Sequence, residues 1–138
     1  MKRENNGLIL RTASCSCGQL RVTCDGEPLR VSLCHCLECQ KRTGSLFGVA
    51  ARWPAERGSI EGRATKYVRG SDDGNKVEFH FCSVCGTTLY WELEIQPGVI
   101  AVAVGAFGDP DFPMPVRQVY ENRRHRWLTL PDEIEECR

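Results

Sequence analysis

Nine cysteines in 138 residues are the feature that most constrains this chain, because they are clustered rather than scattered. They fall as Cys15-Ser16-Cys17, Cys34-His35-Cys36-Leu37-Glu38-Cys39 and Cys82-Ser83-Val84-Cys85, with Cys24 and Cys137 standing apart. An odd count, with no secretory leader beyond the short apolar run Leu8-Ile9-Leu10, argues against a disulfide framework. Buried cysteine acting as a small hydrophobe accounts for isolated thiols such as Cys24 but not for such clusters. Metal ligation is the remaining account, and an all-sulfur donor set favours zinc over magnesium or calcium.

Charge and hydropathy narrow the function classes. Eighteen basic residues balance eighteen acidic ones, so the surplus of cations that holds a protein to nucleic acid is missing. No stretch approaches the roughly 20 apolar residues of a membrane span. The expectation is a soluble, cytoplasmic protein that binds neither nucleic acid nor membrane. At this length one domain is expected over 1–138, with a core at about 13–130 and a loose polar leader at 1–7.

Short apolar runs separated by turn residues predict a mainly β domain. Leu20, Val22 and Cys24 alternate with polar neighbours, as do Val77, Phe79 and Phe81. Residues 98–104 form a β-branched run that suits a strand covered on both faces, and 46–51 and 87–93 are further candidate strands. Turns are marked at 26–28, 70–74 and 108–113, and one or two helical turns are expected at 38–43.

Cys15, Cys17, Cys82 and Cys85 suit a closed four-sulfur site built from two distant segments. Each segment ends its cysteine pair with a glycine, Gly18 or Gly86. Such a glycine permits the positive φ that turns backbone N–H groups toward the sulfurs. A closed site of this kind is structural, and its binding free energy is largely folding free energy.

Cys34, Cys36 and Cys39 crowd three sulfurs into six residues with no obvious fourth ligand nearby. Three protein ligands and an open position are the mark of a catalytic zinc, and thiolate ligands suit capture of another thiol. Completion by His35, His80 or His125, a second structural site, and a metal-free redox centre are the alternatives. Lys41, Arg42 and Arg52 are candidates to hold the carboxylates of a thiol substrate, or are solvated surface cations.

The cysteine pattern resembles the glutathione-dependent formaldehyde-activating enzyme family, which includes the centromere protein V domain. The likeness rests on Cys15-Ser16-Cys17-Gly18, on 34–44 (CHCLECQKRTG), on 81–87 (FCSVCGT) and on 105–110 (GAFGDP) with Trp127 downstream. It implies a β-tent fold similar to methionine sulfoxide reductase B, and two zinc ions per chain. Cys15, Cys17, Cys82 and Cys85 match the structural ligands, and Cys34, Cys36 and Cys39 the catalytic ones. It further implies a carbon–sulfur lyase of the S-(hydroxymethyl)glutathione synthase type, acting on glutathione with formaldehyde or a related small aldehyde. A non-catalytic zinc module that carries glutathione or binds a protein is the alternative. The chain departs from the family at Phe79, where an arginine is frequent, and at Gly108-Asp109, where an acidic pair is usual.

Overall fold

The computed structural model describes the backbone of residues 2–5, 8–70 and 74–137 and the side chains of 9–70 and 74–136. Strands β1 (Lys2–Asn5), β2 (Leu8–Ser14), β3 (Arg21–Asp25) and β6 (Gly58–Glu61) form a small antiparallel sheet in the order β1-β2-β3-β6. A larger sheet takes β4 (Arg30–Cys34), β5 (Gly48–Pro54), β7 (Ala64–Gly70), β8 (Lys76–Cys82), β9 (Thr88–Leu93), β10 (Val99–Ala103), β11 (Arg117–Val119) and β12 (Glu135–Cys137). Its order is β12-β11-β4-β5-β10-β9-β8-β7, with β11 parallel to both β4 and β12 and the other pairs antiparallel. The one α-helix among the described residues, α1 (Leu37–Thr43), follows β4 directly. No helix among them is long and apolar enough to cross a membrane. The protein is mainly β, as its spacing of short apolar runs predicts.

The principal core lies where Leu20, Val22 and Cys24 from the small sheet meet Trp53, Leu89 and Val102 from the large one, all of them fully buried. Alternation puts these side chains inward, since successive residues of a strand face opposite sides. Trp53 also needs a polar partner, and its indole N–H donates to the Gly26 carbonyl at 3.0 Å. Gly26 takes φ 84° there, in the turn that the sequence marks at 26–28.

The predicted segments and the observed strands differ at their ends. The 46–51 run begins its strand only at Gly48 and continues to Pro54. Phe81 breaks the expected inward alternation because β8 is irregular between His80 and Phe81, which shifts its register against β9. Residues 2–5 were expected in a loose leader and instead pair with β2, whose outer edge offers unpaired N–H and C=O groups. Residues 1, 6, 7, 71–73 and 138, and the side chains of 2–5, 8 and Cys137, lie outside the described residues.

Candidate functional site

The first sulfur cluster is built by two similar turns. Cys15 N–H donates to Leu20 O and Gly18 N–H to Cys15 O, both at 3.0 Å. Cys82 N–H donates to Thr87 O at 2.9 Å and Gly86 N–H to Cys82 O at 3.0 Å. Gly18 and Gly86 take φ values of 85° and 83°, the left-handed conformation that their positions demand. Each turn contributes one buried cysteine (Cys15, Cys82) and one exposed one (Cys17, Cys85), and the four sulfurs lie within 4.8 Å of one another.

These distances fit zinc. Cys15 and Cys17 sulfurs are 3.6 Å apart and Cys17 and Cys82 sulfurs 3.7 Å apart. Tetrahedral zinc with bonds of about 2.3 Å spaces its sulfurs by about 3.8 Å, whereas a disulfide would bring them to about 2.05 Å. Backbone and side-chain donors also face the cluster: Leu20 N–H toward Cys15, Val84 and Cys85 N–H toward Cys82, all at 3.3 Å, and the Gln19 amide toward Cys82 at 2.9 Å. Burial opposes ionisation of Cys82, yet the Cys85 N–H, the Gln19 amide and the Val84 N–H together lower its thiol to about 7. Thr87, through its hydroxyl and then its N–H, lowers Cys85 to about 5. At Cys17 the N–H of Gln19 lowers the thiol, but burial and the adjacent thiols outweigh it and raise it to about 11. Two sulfurs poised as thiolates beside a protonated one form a set whose protons a divalent cation would replace.

The second cluster forms where β4 ends and α1 begins. Cys36 occupies the N-cap of α1 and its sulfur accepts the Cys39 N–H at 3.3 Å. One helical turn therefore carries Cys39 back over Cys36 and beside Cys34, and the three sulfurs lie within 4.8 Å of one another. Hydrogen bonds from the Cys34 and Cys39 thiols lower Cys36 to about 2, and the same bond with Cys36 raises Cys34. This set too fits a thiophilic cation: one thiolate held between two thiols, with no carboxylate or imidazole in the group.

None of the three histidines completes the trio. His35, weighed as a fourth ligand, is fully buried, and its Nε2 meets Gln118 Oε1 at 2.9 Å while its Nδ1 has no hydrogen-bond partner. Alternation on β4 explains this: residue 34 faces one side of the sheet and residue 35 turns to the other. His80 stacks on Tyr90 with centroids 4.3 Å apart and places Nε2 3.2 Å from both Glu78 and Glu92. His125 Nε2 meets Gln40 Oε1 at 2.9 Å.

The trio opens into a cleft of about 430 Å³ on one face of the large sheet. Cys34, Cys36 and Cys39 line it together with Phe79 and Trp91. Seven lining residues are basic and one, Glu38, is acidic, although the whole chain is neutral. Low-dielectric walls of this kind concentrate the field of one charge sign. Of the sequence candidates, Arg42 and Arg52 line the cleft, whereas Lys41 is exposed and lines a smaller adjoining recess with Tyr67 and Phe81. Arg42 lies over Trp91 at 4.3 Å and Phe79 at 5.5 Å, and Arg69 lies over Phe79 at 5.1 Å. Gly48, register partner of Cys34, makes room for this: a Cβ there would stand 2.7 Å from Arg42 Nη2. Sequence reasoning missed Arg30, Arg69 and Arg117 in this cleft and Gln19 beside the first cluster, since no local spacing marks them.

The chain matches the family model described as "Glutathione-dependent formaldehyde-activating enzyme" over residues 10–123. A protein of Fusarium vanettenii named "Putative glutathione-dependent formaldehyde-activating enzyme" is 34% identical over 100 residues, covering 65% of this chain and 53% of its own. One of the same name from Aspergillus flavus is 32% identical over 84 residues, covering 59% of this chain and 44% of its own. The chain thus spans about half the length of these curated relatives. A Rhodobacter sphaeroides protein of known crystal structure shares the fold, with a TM-score of 0.55 and 22% identity over 69% of this chain and 85% of that one. With the family model matching most of its length, this chain belongs to the glutathione-dependent formaldehyde-activating enzyme family.

Proposed function

We propose that this chain is a zinc-dependent carbon–sulfur lyase acting on the adduct of an anionic thiol with a small aldehyde, glutathione with formaldehyde being the pair that its relatives' names point to. The observation that carries this reading is the placement of three convergent sulfurs in a cation-lined cleft. Cys15, Cys17, Cys82 and Cys85 would hold a structural zinc, and Cys34, Cys36 and Cys39 a catalytic one, in a single unit spanning about residues 13–130. When bound, a zinc with three thiolate ligands supplies a soft Lewis-acidic centre that favours the thiolate form of a substrate sulfur.

The reaction adds S–H across C=O: a carbon–sulfur bond forms, the carbonyl π bond breaks, and the oxygen takes a proton. The chain's own part is binding and orientation. Arg42 and Arg52 attract the substrate's carboxylates, and the walls made by Phe79 and Trp91 exclude water from the reacting pair. Glu38 and Tyr120 also line the cleft and are side chains able to exchange a proton with the product oxygen. The Cys39 N–H on Cys36 fixes the geometry of the trio before substrate arrives.

Titration calorimetry with glutathione tests the reading. Binding is expected to the zinc-loaded chain and to be lost in Cys36→Ser, whose metal content should fall from two ions per chain to one. Unchanged binding in that variant would refute sulfur capture at the trio. The position of all three histidines outside the trio favours one second reading, a non-catalytic glutathione carrier. Turnover separates the two: a carrier would bind glutathione without accelerating formation or breakdown of the adduct.

A further inference from the structure

Gln40 follows Cys39 on α1 and is half-buried, yet it does not line the cleft. Its amide makes three long-range bonds. Nε2 donates to the His35 carbonyl at 2.8 Å and to the Arg123 carbonyl at 3.2 Å, and Oε1 meets His125 Nε2 at 2.9 Å. Two carbonyl partners fix which end of the amide is the nitrogen, so His125 Nε2 is the donor to Oε1. His35 stands between two members of the sulfur trio, whereas Arg123 and His125 lie 83 and 85 residues beyond Gln40. One side chain therefore ties the backbone of the trio to a distant segment.

That segment carries two side chains into the cleft. On β11, Arg117 and Val119 line the cleft, while Gln118 is buried on the other side, where its Oε1 meets His35 Nε2 at 2.9 Å. Strict alternation would turn residue 120 to the Gln118 side. Tyr120 instead takes φ 56° and ψ 41° and lines the cleft beside Val119, the register partner of Cys34. Among the described residues it is the one non-glycine residue with a positive φ. Its Cβ makes the left-handed conformation unfavourable, and such a residue persists only where surrounding contacts over-determine it. The near end of the segment is held by the His35 N–H on Val119 O at 3.1 Å, and the Arg123 N–H closes the turn on Tyr120 O at 2.9 Å. Gln40 grips the far end at the Arg123 carbonyl and His125, and Arg123 itself lines the cleft.

We propose that Gln40 is a positioning residue that fixes the wall carrying Tyr120 and Arg123 against the sulfur trio, so that both side chains meet the aldehyde adduct of a thiol whose sulfur the trio holds. This rests on the thiol reading given above and deepens it, because one amide behind the site sets the trio and the wall together.

The test begins with hydrogen exchange of the zinc-loaded protein, which needs no turnover. In Gln40→Leu the amides of 119–125 are expected to exchange about tenfold faster than in the native protein, the yield of one to two lost hydrogen bonds. Exchange in β9 and β10 should stay unchanged, with two zinc ions per chain retained. Unchanged exchange at 119–125 would overturn the proposal. So would loss of one zinc ion, since Gln40 would then serve the trio alone. Kinetics with glutathione and formaldehyde supply the second readout. A displacement of about 1 Å costs up to about 100-fold in rate, so Gln40→Leu is expected to lower kcat about 30-fold with KM within about threefold. An unchanged kcat would overturn the proposal. In a Tyr120→Phe background the same substitution should cost less than about threefold, because both changes act through one phenol, and full additivity would overturn the assignment. His125→Phe removes only the partner of Oε1 and should reproduce both effects at smaller size, even where Gln40→Leu does not fold. Cobalt-substituted protein separates this from the parent reading, because perturbation of its sulfur-to-cobalt absorption reports thiol capture alone. A native band that glutathione leaves unperturbed sinks thiol capture, while exchange at 119–125 still decides the clamp.

Discussion

Replacing Gln19 by leucine separates what the first sulfur cluster gains from its fold and what it gains from metal. The Gln19 amide donates to the Arg63 carbonyl at 2.7 Å and to Cys82 Sγ at 2.9 Å, while its oxygen accepts the Arg63 N–H at 2.9 Å. It therefore clips the first cysteine turn to the 62–63 turn and to the second cysteine turn. Gln19→Leu removes two neutral hydrogen bonds, worth about 1 kcal/mol each in either metal state. The bond to Cys82 is worth about 1.5–3 kcal/mol when the sulfur is a thiolate and less when it is a thiol. At about pH 6, below the value of about 7 at which Cys82 ionises without metal, zinc-free protein should lose little more than about 2 kcal/mol of stability and zinc-loaded protein about 3.5–5 kcal/mol. The difference corresponds to about a 10- to 100-fold loss of zinc affinity, in the range expected for a group that orients a ligand. Thermal melts of both forms and zinc competition against a chromophoric chelator measure the two quantities independently. Equal destabilisation of the two forms, with zinc affinity unchanged, would refute the assignment of Gln19 to the metal-holding arrangement and leave it a loop clip.

Three further outcomes follow from single contacts. Gly62→Ala should cost several kcal/mol or prevent folding, because its φ is 102° and a Cβ would lie 2.0 Å from the Gln19 carbonyl oxygen; a melt within a few degrees of the native protein would contradict this. Gly48→Ala should fold with a stability change of about 1 kcal/mol, since its Cβ meets the movable end of Arg42, yet it should weaken glutathione binding by pushing that guanidinium from Trp91; calorimetry beside a thermal melt checks both. In zinc-free protein at about pH 6, iodoacetamide should label Cys85, lowered to about 5, before Cys17, raised to about 11, or Cys24, which burial raises to about 12. Because the Cys85 thiolate exists above its lowered pKa, its labelling should slow as the pH falls through about 5, and mass spectrometry that finds Cys17 labelled first would reverse the assignment.

The sulfur clusters were legible because each half is local. A Cys-x-Cys-Gly or Cys-x-x-Cys-Gly turn dictates its own backbone, and the N-cap placement of Cys36 follows from three residues of spacing to Cys39. Strands with one buried face were legible for the same reason, as with Val77 and Phe79 on β8. The register of β11 beside β4 was not legible, since a three-residue strand returns across more than 80 positions with no pattern of its own. The cleft depends on that register. On β4, Val31 and Leu33 supply the buried face, which leaves Arg30 and Ser32 looking like an ordinary solvent face until β11 and β5 bring more arginines alongside.

Net charge has the same blindness. A balance of eighteen against eighteen weighs correctly against a protein held by a uniform phosphate array, but it averages over position. Here the described acids other than Glu38 lie outside the cleft, among them Glu78 and Glu92 around His80 and Glu27 on Arg11, and the cleft keeps its excess of cations. Phe79 illustrates how arrangement substitutes for identity. The family places an arginine there frequently, and this chain has an aromatic ring instead. That ring receives Arg42 from α1 and Arg69 from β7, two cations in place of one, each held by the ring's electron-rich face and each lining the cleft that the trio opens into. A substitution that reads as a loss of charge at one position therefore leaves the cleft at least as cationic, provided the two arginines keep their places over the ring.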